Sequence, residues 1–435
     1  MANAALPNQF EIGVVGLDPC GRTLARALAG QCLSVAAYDR NAANIKILQE
    51  EASGISIHTA ASMTQFMGLL RQVRTIVVSG PDADGNLFSD LLEQLEAGDL
   101  LIDAGHCHFK DCDRRARSLA ERNIRHLGLG IIGGGEDGGC GLVLMVGGRP
   151  ETYHGVLPLL ESMAATQDGE PCVSYLGPAA AGHFVKMIHD GIEHGLMQLA
   201  LETFGLLKRA LVLDDDELLD VAGAWQMGAL KSRPRDDSAR WTSQAAHELE
   251  VPSPTIAAAV GMRTLSELEK QNDFATTPFR QPLGQFGDDT ESILDELHGA
   301  LCAAIIITYA QGMAVLAAGS ERYGFDIDPA EIIRLWKGCG NLRAALLEEI
   351  ASAIRATPNL PNLLYDDDLS EKVMEQQERL RHAVWRAGLL QTSVPALMAS
   401  LDYLDSYRGA WLPVNLIQAH ARSPMPPLPA ALVRR

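Results

Sequence analysis

The chain has 435 residues, which is too long for one compact core and suits two domains followed by a tail. Hydrophobic residues make up 47% of the chain and charged residues 21%, a balance typical of a globular protein. The formal net charge is −19, and no cluster of Lys and Arg offsets it. Duplex nucleic acid and anionic membranes both require such clusters, so we expect neither as a partner.

The cysteines and the apolar segments indicate the environment of the protein. The 8 cysteines are scattered and form no Cys-x-x-Cys pair, which is typical of reduced thiols in a cytoplasmic protein. The N-terminus has neither a basic region nor an apolar run, so no secretory signal is expected. The uncharged stretch 297–320 is long enough to cross a membrane, but it contains Thr308, Tyr309 and Gln311 and lacks an aromatic belt. We interpret it as a buried core helix.

The first part of the chain alternates between strand-like and helix-like segments. The predicted strands are 11–15, 33–38, 75–79, 100–103, 126–130 and 141–146. The predicted helices between them include 22–28, 87–95 and 112–121. This alternation predicts an α/β domain over residues 1–182, with a Rossmann-type, parallel, doubly wound sheet. Residues 142–146 are predicted to form an edge strand.

The second part of the chain has a different pattern. From residue 183 the apolar residues recur almost throughout with the spacing of helices. The pattern predicts a large all-α domain over residues 183–412, which would serve substrate binding and dimerisation. Residues 413–435 contain a Pro-rich stretch and are predicted to form an extended tail.

The turn after the first predicted strand has the features of a dinucleotide-binding loop. Residues 16–21 read Gly-Leu-Asp-Pro-Cys-Gly and lie between a strand and a helix, the context that such a loop requires. Asp18 replaces the usual small middle residue, so its charge would face a pyrophosphate. Pro19 removes one N–H group from the anion site, although Pro is tolerated in a first helical turn. A tight turn that binds nothing is the alternative.

The acid at the end of the second predicted strand bears on the choice of cofactor. Asp39 can accept hydrogen bonds from an adenosine ribose there, which favours NAD over NADP. Arg40 could instead hold a 2′-phosphate, so NADP stays possible. The predicted cofactor-binding residues are Gly16, Leu17, Pro19, Cys20, Gly21, Asp39, Arg40, Ser79 and Gly80.

The segment 182–194 contains the clearest catalytic pattern. In a helix, Lys186, His189, Asp190 and Glu193 would lie on one face. A solvated face with a Lys–Asp pair would produce this pattern. An acid–base set that faces a cleft would produce it too, because burial lowers the pKa of a lysine enough for it to act as a base.

This segment closely resembles the active-site helix of the 6-phosphogluconate dehydrogenases. Further segments resemble that family in the same order: 103–106, 133–148, 241–242, 309–312, 335–338 and 415–419. In the family, the lysine takes the hydroxyl proton of the substrate, and the glutamate protonates the enol carbon after CO2 leaves. The resemblance assigns these roles to Lys186 and Glu193. It implies NAD(P)-dependent oxidative decarboxylation of a small anionic substrate.

The resemblance also implies a phosphate site. The family positions that hold the phosphate match His194, Arg240, Thr242 and Arg263. Arg240 replaces a lysine; it keeps the cation and adds a planar fork suited to phosphate or phosphonate. The predicted substrate-binding residues are His106, Gly133, Gly134, His189, Asp190, His194, Arg240, Thr242 and Arg263.

Several family positions are changed in this chain. His106 and Asp190 replace two asparagines near the reacting carbon, and Ile132 replaces a serine that binds the substrate carboxylate. Ala421 stands where the family has an arginine that reaches the partner's site, and the segment 225–236 is shorter than its family counterpart. We therefore expect a substrate other than 6-phosphogluconate.

Three further questions depend on these assignments. A hydride-independent decarboxylase or isomerase that uses the Lys–Glu pair is one alternative function, and a non-catalytic binding relative is another.

The group His106, Cys107, His108 and Cys112 fits no standard zinc spacing and overlays a family loop that binds no metal, so no metal is expected. The apolar helix at 293–318 resembles the family's dimer core, which implies a homodimer.

Overall fold

The computed structural model describes residues 9–52, 54–80, 86–133, 141–225, 237–268, 289–338, 344–358 and 360–409. The strands are β1 (Ile12–Val15), β2 (Val35–Tyr38), β3 (Ile57–Thr59), β4 (Thr75–Val78), β5 (Leu100–Asp103), β6 (Arg125–Ile132), β7 (Val143–Gly148), β8 (Thr166–Gln167), β9 (Glu170–Pro171) and β10 (Val173–Gly177). The helices of the α/β part are α1 (Pro19–Gly30), α2 (Ala42–Glu51), α3 (Met63–Leu69), α4 (Asn86–Gln94), α5 (Phe109–Glu121) and α6 (Pro150–Met163).

Almost only helices follow the last strand. They are α7 (Ala181–Leu211), α8 (Asp215–Ala224), α9 (Ser238–Glu248), α10 (Pro254–Ser266), α11 (Thr290–Tyr323), α12 (Pro329–Lys337), α13 (Ala344–Ala356), α14 (Asp367–Leu389) and α15 (Pro395–Arg408). The predicted fold class, a Rossmann-type domain followed by a large helical domain, is confirmed. The division at residue 182 stays a prediction, and the expected tail 413–435 lies outside the described residues.

Eight of the ten strands form one sheet in the order β10-β7-β6-β5-β4-β1-β2-β3, and β8 and β9 form a separate two-stranded sheet. The central strand β1 is buried along its whole length, as expected for an apolar strand covered by helices on both faces. Its neighbours β2 and β4 run parallel to it. The predicted parallel sheet is therefore present, with one exception: β7 runs antiparallel to β6.

The expectation that residues 142–146 form an edge strand is wrong. Strand β10 pairs in parallel with the outer side of β7, so β7 is an internal strand. An internal strand and an edge strand covered by helices both bury their side chains, so the apolar sequence of β7 fits either position. The position of β7 therefore depended on β10, which the sequence pattern did not predict.

Helix α7 begins on the sheet, and glycines let it approach the strands closely. A Cβ atom on Gly182 would lie 2.1 Å from the carbonyl oxygen of Met145 in β7. A Cβ atom on Gly130 in β6 would lie 2.4 Å from the carbonyl oxygen of Gly182 and 2.8 Å from Cβ of Lys186. No side chain fits in these gaps, so the first turns of α7 lie against the backbone of β6 and β7. This packing fixes the height of Lys186 above the sheet.

Helix α11 forms the core of the helical part. It contains the stretch 297–320 and packs against α7 and α14. Its length and hydropathy would allow it to cross a membrane, but 83% of its most apolar window is buried inside the fold. A Cβ atom on Gly312 would lie 2.3 Å from Cγ1 of Ile192, so the two long helices meet at close range. The predicted core helix is confirmed.

Candidate active site

One face of helix α7 holds four ionisable side chains that are mostly shielded from solvent. Lys186 forms an ion pair with Asp190, and these side chains are 16% and 11% exposed. The side chains of His189 and Glu193 are 1% and 14% exposed. A solvated helix face would expose all four side chains, so this face is a partly buried polar cluster.

His189 lies between the two carboxylates of this cluster. Its Nδ1 atom is 3.5 Å from Oδ1 of Asp190 and 3.8 Å from Oε2 of Glu193. Its Nε2 atom is buried and has no hydrogen-bond partner among the described residues, while its ring meets Trp336 edge-on. Burial raises the pKa of Asp190, but the charge of Lys186 and the contact with His189 outweigh this effect, so the pKa of Asp190 lies below its usual value. Asp190 is therefore ionised at neutral pH.

The dinucleotide loop lies next to this helix face. Burial and the charge of Asp18 raise the pKa of the Cys20 thiol to about 11, whereas Ser79 and the charge of Lys186 act in the opposite direction. The loop after β5 connects the two: a Cβ atom on Gly105 would lie 3.4 Å from the carbonyl oxygen of Gly80, and the carbonyl oxygen of Gly105 lies 3.2 Å from Nε2 of His183 in the first turn of α7. The loop and the polar face of α7 therefore border a single site.

Two glycines give the loop its tight turn. Gly16 has φ +85°, and a Cβ atom there would lie 2.0 Å from the carbonyl oxygen of Ser79. A Cβ atom on Gly21 would lie 2.0 Å from the carbonyl oxygen of Gly16. Both positions therefore require glycine, as a dinucleotide-binding turn between a strand and a helix does.

Asp18 is the N-cap of helix α1. Its Oδ1 atom accepts hydrogen bonds from the N–H of Gly21 and from the hydroxyl of Ser79, both at 2.9 Å. The carboxylate therefore lies at the helix N-terminus, where the backbone of such loops attracts an anion. Pro19 supplies no N–H there. Sequence reasoning predicted that the charge would face a pyrophosphate but missed the capping role, although Asp before Pro is a recognisable helix start.

Asp39 supports the same loop from the end of β2. Its carboxylate accepts hydrogen bonds from the N–H of Leu17 at 2.6 Å, from the N–H of Asn41 at 2.7 Å and from the Asn44 amide at 3.1 Å. Arg40 is directed to the surface, where it pairs with Asp90. A carboxylate has about four acceptor positions, so Asp39 can accept one more hydrogen bond. Its contact with a ribose stays a prediction.

The loop and the sheet edge fit a dinucleotide in shape. The turn at Gly16 and Gly21 and the N-terminus of α1 are the parts that would hold the pyrophosphate. Ser79 and Gly80 follow β4 on the same edge, and Gly80 has φ +97° beside the Asp18 side chain. The charge of Asp18 and the missing N–H of Pro19 are the two features described above that oppose an anionic group at this loop.

The residues predicted to bind a phosphate group lie on three helices. His194 is buried one residue beyond Glu193 on α7. Arg240 on α9 is exposed, and Nε of Arg263 on α10 is 3.6 Å from Oε1 of Glu267.

Thr242 is fully buried, and its hydroxyl faces the backbone of α7. The hydroxyl oxygen lies 2.6 Å from the carbonyl oxygen of Met187 and 3.0 Å from that of Ser238. A hydroxyl has only one proton to donate. Thr242 would therefore have to break a backbone contact before it could donate to a phosphate.

The remaining predicted residues lie at the carboxyl ends of β5 and β6. His106 is half-buried in the loop between β5 and α5, and Gly133 is exposed directly after β6. Ile132, at the position of the family serine, is buried at the end of β6. Gly134, the segment 226–236 and Ala421 lie outside the described residues.

A second cluster lies beside this site; sequence reasoning grouped two of its members, Cys107 and Cys112, with His106 and His108 and missed the other two. Cys107 and Cys112 lie near Asp103 and His183, under the first turn of α7. The contact with the Cys112 thiol lowers the pKa of Cys107 to about 6; burial opposes this effect, and the charge of His183 adds to it. No local motif joins all four residues, because His183 is more than 70 positions from the stretch 103–112 that holds the other three.

Family comparisons cover almost the whole chain. Residues 11–177 match the sequence model of the NAD binding domain of 6-phosphogluconate dehydrogenase. Residues 182–233 and 235–422 match the model of the C-terminal domain of 6-phosphogluconate dehydrogenase.

Individual relatives agree with the family models. A decarboxylating 6-phosphogluconate dehydrogenase from Synechocystis is 34% identical, over 96% of this chain and 94% of that protein. An NADP(+)-dependent, decarboxylating 6-phosphogluconate dehydrogenase from Bacillus subtilis is 36% identical, over 94% of each chain. The structure of the Plasmodium falciparum 6-phosphogluconate dehydrogenase superposes with a TM-score of 0.83 and 28% identity, over 94% of this chain and 95% of that chain.

Proposed function

Because the chain belongs to the 6-phosphogluconate dehydrogenase family, we propose that Lys186 and Glu193 are the base and the acid of its reaction. The protein is an NAD(P)-dependent decarboxylating dehydrogenase. We further propose that its substrate is a hydroxy acid with a phosphate or phosphonate group, distinct from 6-phosphogluconate. The observation that carries this proposal is the buried polar face of α7 beside the dinucleotide loop.

The two residues have different tasks. Lys186 removes the proton of the substrate hydroxyl, and bound NAD(P) supplies the acceptor for the hydride from the same carbon. The resulting β-keto acid loses CO2 because the new carbonyl group accepts the electron pair of the broken C–C bond. Protonated Lys186 stabilises the enolate oxygen, and Glu193 then donates a proton to the enolate carbon.

The spacing of these residues supports the assignment. Lys186 and Glu193 are separated by about two helical turns, or ~10 Å along the helix axis, so both can reach one small substrate. The helix that carries Lys186 also begins near the expected position of the cofactor, because His183 in its first turn contacts Gly105, which approaches Gly80 of the sheet edge. His189 links Glu193 to Asp190 and gives the proton donor a polar, shielded neighbourhood.

Three features support a substrate other than 6-phosphogluconate. Asp190 adds a buried negative charge where the family has an asparagine, so it disfavours an anionic group at that point of the substrate. The half-buried His106 replaces a second asparagine, and buried Ile132 replaces a serine that binds a carboxylate. Together these changes alter the groups around the reacting carbon, while Arg240 and Arg263 keep cations for a phosphate-like group.

The choice of cofactor and the assembly are part of the proposal. Asp39 at the end of β2 favours NAD, although NADP stays possible. We infer a homodimer because Met374, Trp385 and Leu389 are exposed on one face of α14, at 44%, 59% and 55%. A cytoplasmic location agrees with the expected reduced thiols.

The test uses the purified protein with NAD or NADP. It is offered 6-phosphogluconate and a panel of phospho- and phosphono-hydroxy acids, and reduced cofactor and CO2 are followed together. We expect both products in equal amounts from a panel member, and much less from 6-phosphogluconate. Lys186→Met should lower the rate by ~10²-fold or more while cofactor still binds. Lys208→Met, which removes an exposed lysine from the same helix, is the matched control.

Each other outcome has a defined meaning. Efficient turnover of 6-phosphogluconate refutes the altered substrate but keeps the assigned roles of Lys186 and Glu193. CO2 without reduced cofactor supports the hydride-independent alternative. If Lys186→Met turns over a substrate as well as the unmodified protein does, the assignment of the base is wrong.

A further inference from the structure

A buried group of metal-binding side chains lies beside the catalytic face of α7. Asp103 ends β5, Cys107 lies in the following loop, Cys112 lies in the first turn of α5, and His183 lies in the first turn of α7. One ligand atom each of Asp103, Cys107 and His183 lies within 4.8 Å of the others. Cys112 is hydrogen-bonded to Cys107. Two segments that are distant in sequence, residues 103–112 and the start of α7, therefore bring four candidate ligands of three types to one place.

The orientation of His183 leaves one ring nitrogen available to a metal. Its Nε2 atom lies 3.2 Å from the carbonyl oxygen of Gly105, which can only accept a hydrogen bond. In the neutral ring, Nε2 therefore carries the hydrogen and Nδ1 carries the lone pair. Nδ1 is buried and accepts no well-formed hydrogen bond from the described residues, while the ring interacts with the thiol of Cys107, another of the candidate ligands. A histidine that ligates a metal usually donates its other N–H to a carbonyl or carboxylate group in this way.

The space between the ligands is kept open by a glycine. A Cβ atom on Gly128 in β6 would lie 2.9 Å from Sγ of Cys112 and 3.0 Å from Nδ1 of His183. Both ligand atoms therefore border the same gap over the sheet. Asp103, Cys112 and His126 form a second group whose ligand atoms lie within 4.8 Å of one another, and both ring nitrogens of His126 are buried without a hydrogen-bond partner in the described part of the chain.

Asp103 can complete the group. It is fully buried; its Oδ1 accepts a hydrogen bond from the N–H of Gly105, and its Oδ2 accepts one from Arg115, both at 3.1 Å. Each oxygen keeps a second lone pair. Carboxylates that bind a metal are usually held in place by hydrogen bonds from groups that do not bind it, and Gly105 and Arg115 hold Asp103 in this way.

We propose that Cys107, Cys112, His183 and Asp103 bind one Zn²⁺ ion. Two sulfur ligands and an imidazole favour Zn²⁺ over Mg²⁺ and Ca²⁺, which prefer oxygen ligands. Four protein ligands fill a tetrahedral site, so the ion has a structural role. It would join the loop that carries His106 to the helix that carries Lys186, and the proposal extends beyond the function assigned above.

Co²⁺ is a suitable probe for this site, because it takes the place of Zn²⁺ and absorbs light. The full-length protein is reduced, freed of metal with a chelator and titrated with Co²⁺. We expect one Co²⁺ per chain, an ultraviolet charge-transfer band from Co²⁺–thiolate bonds, and the intense visible bands of tetrahedral coordination. Added Zn²⁺ should displace Co²⁺ and remove both signals.

Cysteine variants identify the site. Cys107→Ser and Cys112→Ala should each weaken Co²⁺ binding by more than the ~10- to 100-fold that outer-shell changes cause. Cys172→Ala is the matched control, because Cys172 is also buried but lies outside the cluster, and it should keep the signal. Circular dichroism shows whether each variant is folded.

The readout separates this site from other metal-binding groups on the protein. Co²⁺ at His189, Asp190 and Glu193, which also lie within 4.8 Å of one another, would give no thiolate band. The proposal is overturned if reduced protein binds no Co²⁺, or binds it without that band. It is also overturned if folded Cys107→Ser and Cys112→Ala keep the unmodified spectrum.

Discussion

Lys186 and Asp190 form an ion pair across one turn of helix α7. The carboxylate stabilises the charged lysine, whereas a lysine that accepts a proton must first be neutral. Asp190 therefore acts on the proposed base before any substrate binds. The family asparagine at this position carries no charge, so the pair distinguishes this chain from the family pattern.

Asp190→Asn should make the base active at lower pH. Without the carboxylate, the charged lysine loses a stabilising neighbour, so the acidic limb of the profile of kcat/KM against pH should move down by ~1 pH unit. Asp215→Asn, which breaks the exposed pair with Lys208 near the end of the same helix, should leave the profile unchanged. An unchanged profile in Asp190→Asn would mean that the ion pair opens before catalysis.

Glu193→Gln should slow a late step. Glutamine cannot donate a carboxylic proton, so the enolate should be protonated ~10²-fold more slowly or worse, while the first oxidation is affected less. Rapid mixing should then show an initial burst of reduced cofactor followed by slow release of the final product. Equal loss in both phases would indicate that Glu193 positions the substrate instead of protonating it. Glu321→Gln, at an exposed position on α11, serves as the control.

Asp18→Asn should tighten cofactor binding. Asparagine keeps an N-cap acceptor for Gly21 but removes the negative charge from the helix N-terminus. We expect a gain of about 1 kcal/mol, or ~5-fold in the dissociation constant measured by fluorescence titration. Asp18→Ala also removes the charge but loses the cap, so its stability should fall by about 1 kcal/mol in thermal unfolding. Weaker binding by Asp18→Asn would mean that the carboxylate turns away from the cofactor.

NAD should bind more tightly than NADP. The carboxylate of Asp39 should repel a 2′-phosphate, although the relative from Bacillus subtilis is named as NADP(+)-dependent. Asp39→Asn should shift the ratio of the two dissociation constants toward NADP, with some loss for both because Asp39 supports Leu17. If the unmodified protein prefers NADP and Arg40→Ala removes the preference, Arg40 determines the specificity.

The protein should be a homodimer in solution. Trp385→Glu places a charge on the exposed apolar face of α14, so light scattering should show monomers at a concentration at which the unmodified protein is dimeric. Val73→Glu changes an exposed apolar residue of the α/β part and should leave the dimer intact. A stable monomer of the unmodified protein at micromolar concentration would contradict the inference.

The sequence predicted features that depend on local patterns. Strand β1, the turn at residues 16–21 and the polar face of α7 each follow from the spacing of a few neighbouring residues. The sequence did not predict β10, because its position outside β7 depends on the order of the whole sheet. The approach of His183 to Cys107 and Cys112 was missed for the same reason: the start of α7 comes to the end of β5 only through the order of the strands in the sheet.

Asp18 shows a different limit of sequence reasoning. The residue fits two patterns at once, a dinucleotide loop and a helix N-cap, and only the first of them was inferred from the sequence. Its bond to Ser79, 61 positions away in sequence, could not be seen before β1 and β4 were paired. Contacts across a sheet therefore decide what a charged loop residue does.

Helix α7 has a mechanical consequence for the whole enzyme. It has 31 residues and is therefore about 46 Å long, with its first turns against the sheet and its later turns against α11. Because this continuous helix belongs to both the α/β part and the helical part, no loop separates the two parts at this point. We therefore expect cofactor exchange to depend on movements of loops and side chains along the sheet edge, with little change in the distance from Lys186 to the sheet.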